Sequence, residues 1–250
     1  MKSLDLKLQC FETLDSTNSY LKEQAKAGAP EGTVVLANAQ TAGRGRMGRS
    51  FESAPGLGIY MSLLLRPQAA PESVQTLTAN TAVAVCRAIE KCTELKPEIK
   101  WVNDIILAGR KIGGILCECE AGEKGVEYMV IGIGLNVITR TEDFSPQIKD
   151  IAGSIYSQSG KIVERGALIG AILGELSAMY EAWQLDSCAY LSEYKKRCKM
   201  LGRSVSYFTA EGECDVLVLD ISSDFGLVVQ SAEGEIKTLH SGEVTFSKRN

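Results

Sequence analysis

The chain has 250 residues, 45% hydrophobic and 23% charged, with 31 acids against 27 bases and a net charge of −4. That is globular composition with room for one large domain, or one medium domain and a small module, and its acidic balance argues against a general nucleic-acid binder. The longest apolar runs, near positions 59–65 and 129–133, fall far short of the ~18 residues of a membrane span, and the opening MKSLDLKLQCFETLD turns acidic before an apolar signal core can form, so the expected compartment is the cytoplasm, with no membrane association.

Positions 6–14 alternate as a strand, and Asp15 or Ser16 can N-cap a helix that runs through Ala25 and stops at Gly28 and Pro30. Positions 33–39 form a short apolar strand, and a long loop containing GRGRMGR (43–49) separates it from the apolar strand 58–65, ended by Pro67. Helical periodicity over 72–92 (Val74, Leu77, Ala82, Val85, Ile89) gives way to two short strands around 99–101 and 105–107, joined by Val102-Asn103-Asp104. Strands over 111–120 and 128–137 follow, then an amphipathic helix over 164–184 with Leu168, Ile172, Leu176, Met179, Tyr180 and Trp183 on its apolar side. After Leu191 the pattern changes to short alternating strands, 204–209, 214–221, 226–230 and 235–239, separated by EGE, SSDFG and AEGE turns. The body lacks strict βαβ alternation, so α+β is expected over doubly wound α/β, with a small β-barrel at the end.

The eight cysteines include no Cys-x-x-Cys pair and are expected to be reduced and partly buried. Cys117 and Cys119 share a strand face, but with no second cysteine pair and one histidine, His240, a core role is favoured over a metal half-site. A single histidine also argues against Ser-His-Asp and Cys-His catalysis, leaving Lys, Arg, Asp, Glu and backbone donors to carry any chemistry.

Gly43-Arg44-Gly45-Arg46-Met47-Gly48 matches G-x-G-x-x-G after a strand, yet the breakers that follow (Ser53, Pro55, Gly56) forbid the helix on which dinucleotide binding depends. What remains is Arg44, Arg46 and Arg49 on a permissive backbone with no acid between them. An anion site is favoured there over a solvated loop or an RGG-like contact, because the guanidinium fork suits carboxylates and phosphates. Lys100-Trp101-Val102-Asn103-Asp104 and Lys111-Ile112-Gly113-Gly114 form a second dense segment. A hairpin would put Asn103, Asp104 and Lys111 at one end; glycines admitting a ligand or backbone and a bland hairpin with a bulge stand even on spacing. Gly132-Ile133-Gly134-Leu135-Asn136 and Ser16-Thr17-Asn18 are weaker signals, each explained by packing or by capping alone.

In this order, Ser16-Thr17-Asn18, Gln40-Thr41-Ala42-Gly43-Arg44-Gly45-Arg46 to Arg49, Lys100 to Asp104, Lys111 to Gly114 and Gly132 to Asn136 resemble the biotin protein ligases in their short form without a DNA-binding domain. The stretch from Gly202-Arg203 through Ser241-Gly242-Glu243-Val244 is similar to that family's SH3-like C-terminal domain. The resemblance implies a mixed sheet flanked by helices, of the class II aminoacyl-tRNA synthetase and biotin ligase type, over 1–200, and an SH3-like barrel over 201–250. It implies that biotin and MgATP give biotinyl-5′-AMP and pyrophosphate, and that biotin then passes to one lysine of a biotin carboxyl carrier domain of acetyl-CoA carboxylase or another biotin-dependent enzyme.

By the same resemblance Ser16, Thr17, Asn18 and Gln40 bind the ureido end of biotin, and Gly43, Arg44, Gly45, Arg46, Lys111 and Gly114 line its pocket. Lys111 touches both the biotin carboxylate and the α-phosphate, Arg46 holds the same region, and Asp104 orients or deprotonates the acceptor lysine. Arg46, Arg49, Phe51, Lys100, Asn103, Lys111 and Asn136 serve ATP, with Phe51 standing where relatives often carry Trp and placed to cover adenine. Mg²⁺ is held by phosphates and water without dedicated protein ligands. Val102 departs from the family's Pro between Trp and Asn. Lipoate ligases and octanoyl transferases share the architecture, so another acyl acid is the first alternative, and a nucleic-acid-binding module, with the arginines on strand phosphates, is another. A repressor role is not expected, since fifteen residues precede Ser16 against the ~50 of the smallest independent domain. An exposed sheet edge would be available for a homodimer, although no residue compels one.

Overall fold

The computed structural model describes residues 4–122, 125–209 and 212–246. The first three residues of the opening segment and Glu211 of the EGE turn lie outside them. In chain order the first body runs β1 (Lys7–Leu14), α1 (Thr17–Lys26), β2 (Thr33–Gln40), β3 (Gly58–Leu65), α2 (Pro71–Gln75), α3 (Leu77–Thr93), β4 (Glu98–Lys100), β5 (Asp104–Leu107), β6 (Arg110–Gly122), β7 (Gly125–Asn136), α4 (Ile155–Ser159), α5 (Arg165–Leu185) and α6 (Leu191–Arg197). Its strands form one sheet in the order β1-β2-β3-β7-β6-β5-β4, parallel between β1 and β2 and antiparallel elsewhere.

Period-2 alternation sorts the side chains of this sheet to two sides. Val35, Leu64 and Val130 face α1 and pack with Leu21 and Ala25. Their neighbours Val34, Leu63, Leu65, Met129 and Ile131 share the larger core with α3 and α5. Because both sides are covered, every residue of β3 is buried, which is why that strand reads as an unbroken apolar run. The edge strand β1 is instead largely exposed.

The single helix expected over 72–92 is two, divided at Thr76. The Thr76 hydroxyl donates to Ser73 O at 2.6 Å and accepts from Trp183 Nε1 at 2.8 Å, while its carbonyl accepts from Asn80 Nδ2 at 2.9 Å. These side-chain bonds add to the backbone bonds of the junction, Thr76 N to Ser73 O and Asn80 N to Thr76 O, both at 3.1 Å. The stretch after Leu191, expected to begin the strand pattern, is the short helix α6, with Lys195, Lys196 and Arg197 in its last turn, where cations complement the helix dipole. Its Tyr194 is fully buried in the main core.

The second sheet consists of β8 (Ser204–Thr209), β9 (Gly212–Ile221), β10 (Leu227–Gln230), β11 (Ile236–Leu239) and the unanticipated β12 (Val244–Phe246). It is antiparallel, in the order β11-β10-β9-β8-β12, with β11 and β12 at its ends. The turn before β10 docks it on the first body: Trp101 Nε1 donates to Phe225 O at 2.8 Å, and the Phe225 ring meets Tyr194 edge-on at 5.2 Å. That docking carries Gly242, Glu243 and Val244 to the edge of the first body's cleft.

All eight cysteines are free. Cys10 and Cys119 are exposed, a correction to the expectation of partial burial, whereas burial pushes the Cys86 and Cys117 thiols up to about 12. Among the described residues no helix is long and apolar enough to cross a membrane.

Candidate active site

A solvent-open cleft with about 970 Å³ of unfilled space lies among α1, the 43–51 loop, the ends of β4 to β7 and the β11–β12 connection. Every residue expected at the site lines it except Gly43 and Asn136.

One end is neutral and polar. Ser16 caps α1, its hydroxyl accepting from Ser19 N at 3.4 Å, and this seats Thr17 and Asn18 in the first turn. Gln40 Oε1 accepts from Thr17 N at 2.8 Å and its Nε2 donates to Ser53 Oγ at 2.8 Å, so both ends of the amide are fixed. Ser62 Oγ lies 2.8 Å from Thr17 Oγ1 and 2.6 Å from Asn18 Oδ1. Two glycines of β7 make room for site residues: a Cβ on Gly132 would stand 2.1 Å from Asn18 Oδ1, and one on Gly134 would stand 2.8 Å from the Phe51 ring. Gly43 is buried behind the loop, where a Cβ would meet Phe51 O at 2.3 Å.

The other end is cationic. The β5–β6 hairpin brings Lys111 Nζ to 2.6 Å from Asp104 Oδ1. Gly114 lies beside this pair, and a Cβ there would make only ordinary contact at 3.5 to 3.7 Å. The register shifts between Ile105 and Ile106, the bulge of the bland hairpin, and Gly113 meets a neighbouring backbone, where a Cβ would stand 2.7 Å from Gly134 O. Arg46 Nη1 donates to Asn103 Oδ1 at 2.9 Å, and Asn103 Nδ2 donates to Ile115 O at 2.9 Å, so a neutral amide orients the guanidinium without cancelling its charge. Arg49 pairs with Glu243 from the second sheet, and this hydrogen bond, opposed by partial burial, holds the Glu243 carboxyl below the usual range. Burial lowers the pKa of Lys100, partly offset by Asp104 and reinforced by Lys111.

The loop is no dinucleotide fingerprint, for it opens no helix. Arg46–Gly48 make a single 3₁₀ turn, Arg44 bridges Ser50, and Gly45 N and Phe51 N donate to Arg49 O and Gly43 O at 2.7 and 2.9 Å. The arginine side chains therefore radiate from a folded-back ribbon. Asn136 lies off the cleft, buried, with Nδ2 donating to Gly153 O at 3.0 Å. Gly153 N in turn donates to Lys111 O at 2.8 Å, so Asn136 braces the segment that supports the Lys111 backbone. Sequence reasoning missed Trp101, Ile115, Leu116, Ile133 and Glu243 as cleft lining; for Glu243 the available signal was its place in the Ser241 to Val244 stretch. Among the described residues no group of three or more His, Cys, Asp or Glu could hold a metal ion. The donors present fit a cation that arrives on a nucleotide's phosphates better than one held by protein ligands.

The profile of the biotin/lipoate A/B protein ligase family matches residues 10–136, which contain the whole of this cleft apart from its C-terminal rim. The chain belongs to this family. Among curated relatives, the bifunctional ligase/repressor BirA of Bacillus subtilis is 36% identical over 234 residues, 93% of this chain and 72% of that protein. The biotin–(acetyl-CoA-carboxylase) ligase of Mycobacterium tuberculosis is 27% identical, over 92% of this chain and 85% of that protein. Among solved structures, the biotin protein ligase of Aquifex aeolicus in complex with biotin and ATP superimposes with a TM-score of 0.81 at 28% identity, covering 96% of this chain and 97% of that one. The family's shared fold accounts for the mixed sheet flanked by helices, which bears out the α+β expectation.

Proposed function

We propose that this family member is an ATP-dependent biotin protein ligase that activates biotin as biotinyl-5′-AMP and transfers it to a lysine of a biotin carboxyl carrier domain. The observation that carries the reading is the convergence of Arg46, Arg49, Lys100 and Lys111, from three separate segments, on one end of a cleft whose other end is the recess of Ser16, Thr17, Asn18 and Gln40, with Arg44 at the edge of that recess. A small acid with a polar heterocyclic head fits the recess, and two mutually repelling anions fit the cationic end.

In the first half-reaction a biotin carboxylate oxygen attacks the α-phosphorus of ATP and pyrophosphate leaves. Lys111 supplies fixed positive charge between the two anions, released from Asp104 as they enter, and Arg46 holds the same region. Arg49 and Lys100 meet the departing phosphates, and Phe51 covers the adenine. In the second, a neutral lysine amine attacks the acyl carbon, AMP leaves with the electron pair, and Asp104 accepts or orients the amine proton. Mg²⁺, carried by ATP phosphates and water, supplies further charge neutralisation when bound. The reading extends to a catalytic body over 1–200 and an SH3-like module over 201–250 whose Glu243 closes the phosphate side.

Pyrophosphate exchange into ATP, run with biotin, lipoate, octanoate and no acid, tests this without any carrier protein. Exchange with biotin alone is the expected outcome. Exchange with lipoate or octanoate instead reassigns the recess, and exchange with none removes the adenylating reading.

A further inference from the structure

Glu118, on β6, is not part of the cleft lining, yet three polar groups around the biotin recess depend on it. It pairs in register with Val130, so it points to the side of the sheet that carries α1. Its Oε1 lies 3.0 Å from Lys22 Nζ. Its Oε2 accepts from Asn18 Nδ2 at 3.0 Å and from Arg44 Nη1 at 3.0 Å. Burial raises the pKa of this carboxyl, and the Asn18 and Lys22 hydrogen bonds with the charges of Lys22 and Arg44 more than reverse that, so it is held ionised below the usual range.

A half-buried carboxylate beside a pocket for anions would by itself repel the substrate. Here two cations outweigh it, and the edge keeps a net positive charge. The bonds also settle geometry. With Nδ2 directed at Glu118 and Leu116 O and Oδ1 receiving Ser62, the Asn18 amide has one orientation. Arg44, at the start of the folded-back loop, is tied to the central sheet; the loop's other side-chain ties, Arg46 to Asn103 and Arg49 to Glu243, run to residues of the cleft itself.

We propose that Glu118 is a positioning residue for the biotin half of the cleft, fixing Arg44 and the Asn18 amide together so that the 43–51 loop is held over the recess before biotin arrives. The proposal rests on the adenylating reading above. Order already present in the free protein is not imposed at binding, so loss of Glu118 weakens biotin capture while Lys111, Arg46 and Arg49 still perform the chemistry. The signature is a raised KM for biotin with kcat little changed.

Glu118→Gln is the decisive variant, because it retains an acceptor for Asn18 and removes only the charge. Pyrophosphate exchange at saturating ATP is expected to show KM for biotin up about tenfold, the equivalent of ~1.4 kcal/mol, with kcat within twofold. In an Arg44→Met background the same substitution is expected to change KM less than twofold, since the partner through which it acts is gone. Limited trypsinolysis of the ligand-free proteins gives a readout independent of activity: cleavage after Arg46 and Arg49 is expected several times faster in Glu118→Gln than in wild type, at an unchanged melting temperature. An unchanged KM, a fall in kcat alone, or a tenfold effect that persists in the Arg44→Met background each overturns the proposal while leaving the ligase reading intact. No exchange by the wild type with any acid overturns the ligase reading and the biotin role with it, and equal cleavage rates would then dispose of the loop tie as well.

Discussion

Two groups of charges in this molecule use the same side chains to opposite ends. Against the helices, Arg197 is 13% exposed and donates to both oxygens of Glu90 at 2.7 and 2.8 Å and to Glu193 at 2.7 and 3.0 Å. Glu193 also accepts from Arg87, whose guanidinium lies 4.1 Å from the Tyr190 ring centre, and the nearly buried Glu175 is met by Arg87 and Lys91. Acids and bases here are shared among several partners. In the cleft each cation has at most one side-chain partner: Lys111 has Asp104, Arg46 has a neutral amide, Arg49 has Glu243, Arg44 has Glu118 at the recess edge, and Lys100 has no ion pair among the described residues. A saturated network ties α3, α5 and α6 together and has nothing left to offer a ligand. A singly paired cation on a wet wall keeps spare N–H donors, and that spare capacity is what an anionic substrate needs.

The contrast is broken most sharply at Lys111. Lys111→Met is expected to lower pyrophosphate exchange by roughly 10³-fold, the upper range for loss of one preorganised charge donor, with a melting temperature within about 2 °C of wild type because one half-exposed ion pair contributes little to folding. Normal exchange by this variant would remove Lys111 from the chemistry. Arg197→Met should do the reverse. Leaving Glu90 and Glu193 half-buried without their shared cation is expected to cost about 3 kcal/mol, a fall of roughly 6 to 12 °C in a chain of this size, with kcat for exchange unaltered below the transition. Glu193 adds a pH signature. Burial raises its pKa, but Arg87 and Arg197 bring it below the ordinary carboxylate value, so its stabilisation is present above about pH 4.3 and is lost as pH falls through the depressed value. The gap between wild type and Arg197→Met is therefore expected to narrow on acidification, and a constant gap would place the stabilisation elsewhere.

What the sequence disclosed divides along similar lines. The run 58–65 is legible as a strand because both of its sides are buried, and the cap at Ser16 fixes where α1 begins. The break at Thr76 is not legible, for one partner of the Thr76 hydroxyl is a Trp183 indole that arrives from 107 residues away. In the cleft the arginines stand out because Arg44 and Arg46 alternate with glycine and no acid lies between Arg44 and Arg49. Their acids do not: Glu118 sits in Cys117-Glu118-Cys119-Glu120, where an acid reads as a solvated outward position, and Glu243 meets Arg49 across 194 residues. Asn136 looked like a ligand-binding amide at a strand end, yet folding turns it inward onto Gly153 O. Local pattern reports a residue's chemistry, and only the apposition of distant strands reports its partner.

A smaller effect sharpens the division within the cleft. Phe51 packs edge-on against Tyr60 with ring centres 6.4 Å apart and rests over Gly134. If its free side covers adenine, Phe51→Ala raises KM for ATP about five- to tenfold, the lower part of the range of about 1 to 3 kcal/mol for one stacking aromatic, and leaves KM for biotin near wild type. The opposite split would move Phe51 to the biotin half.

The smallest expected effect concerns Lys100, which like Arg46 has no ion pair among the described residues. Burial lowers its pKa, so the protonated form is disfavoured in the folded protein. The resulting cost to stability is present below the folded value and vanishes as pH rises past the ordinary lysine value near 10.4. Triphosphate binding works against that burial because it rewards the charged form, and phosphate groups are fully ionised above about pH 7. ATP must therefore bind with uptake of a proton once the free protein has lost it, and KM for ATP is expected to climb severalfold as pH rises toward the ordinary lysine value near 10.4, the climb starting at lower pH than an ordinary lysine allows. Lys100→Arg, charged throughout this range, should flatten the climb while leaving biotin capture unchanged. A slope that survives in Lys100→Arg would mean that the titrating group is another cation of the cleft, and that Lys100 is buried for packing and not for the phosphates.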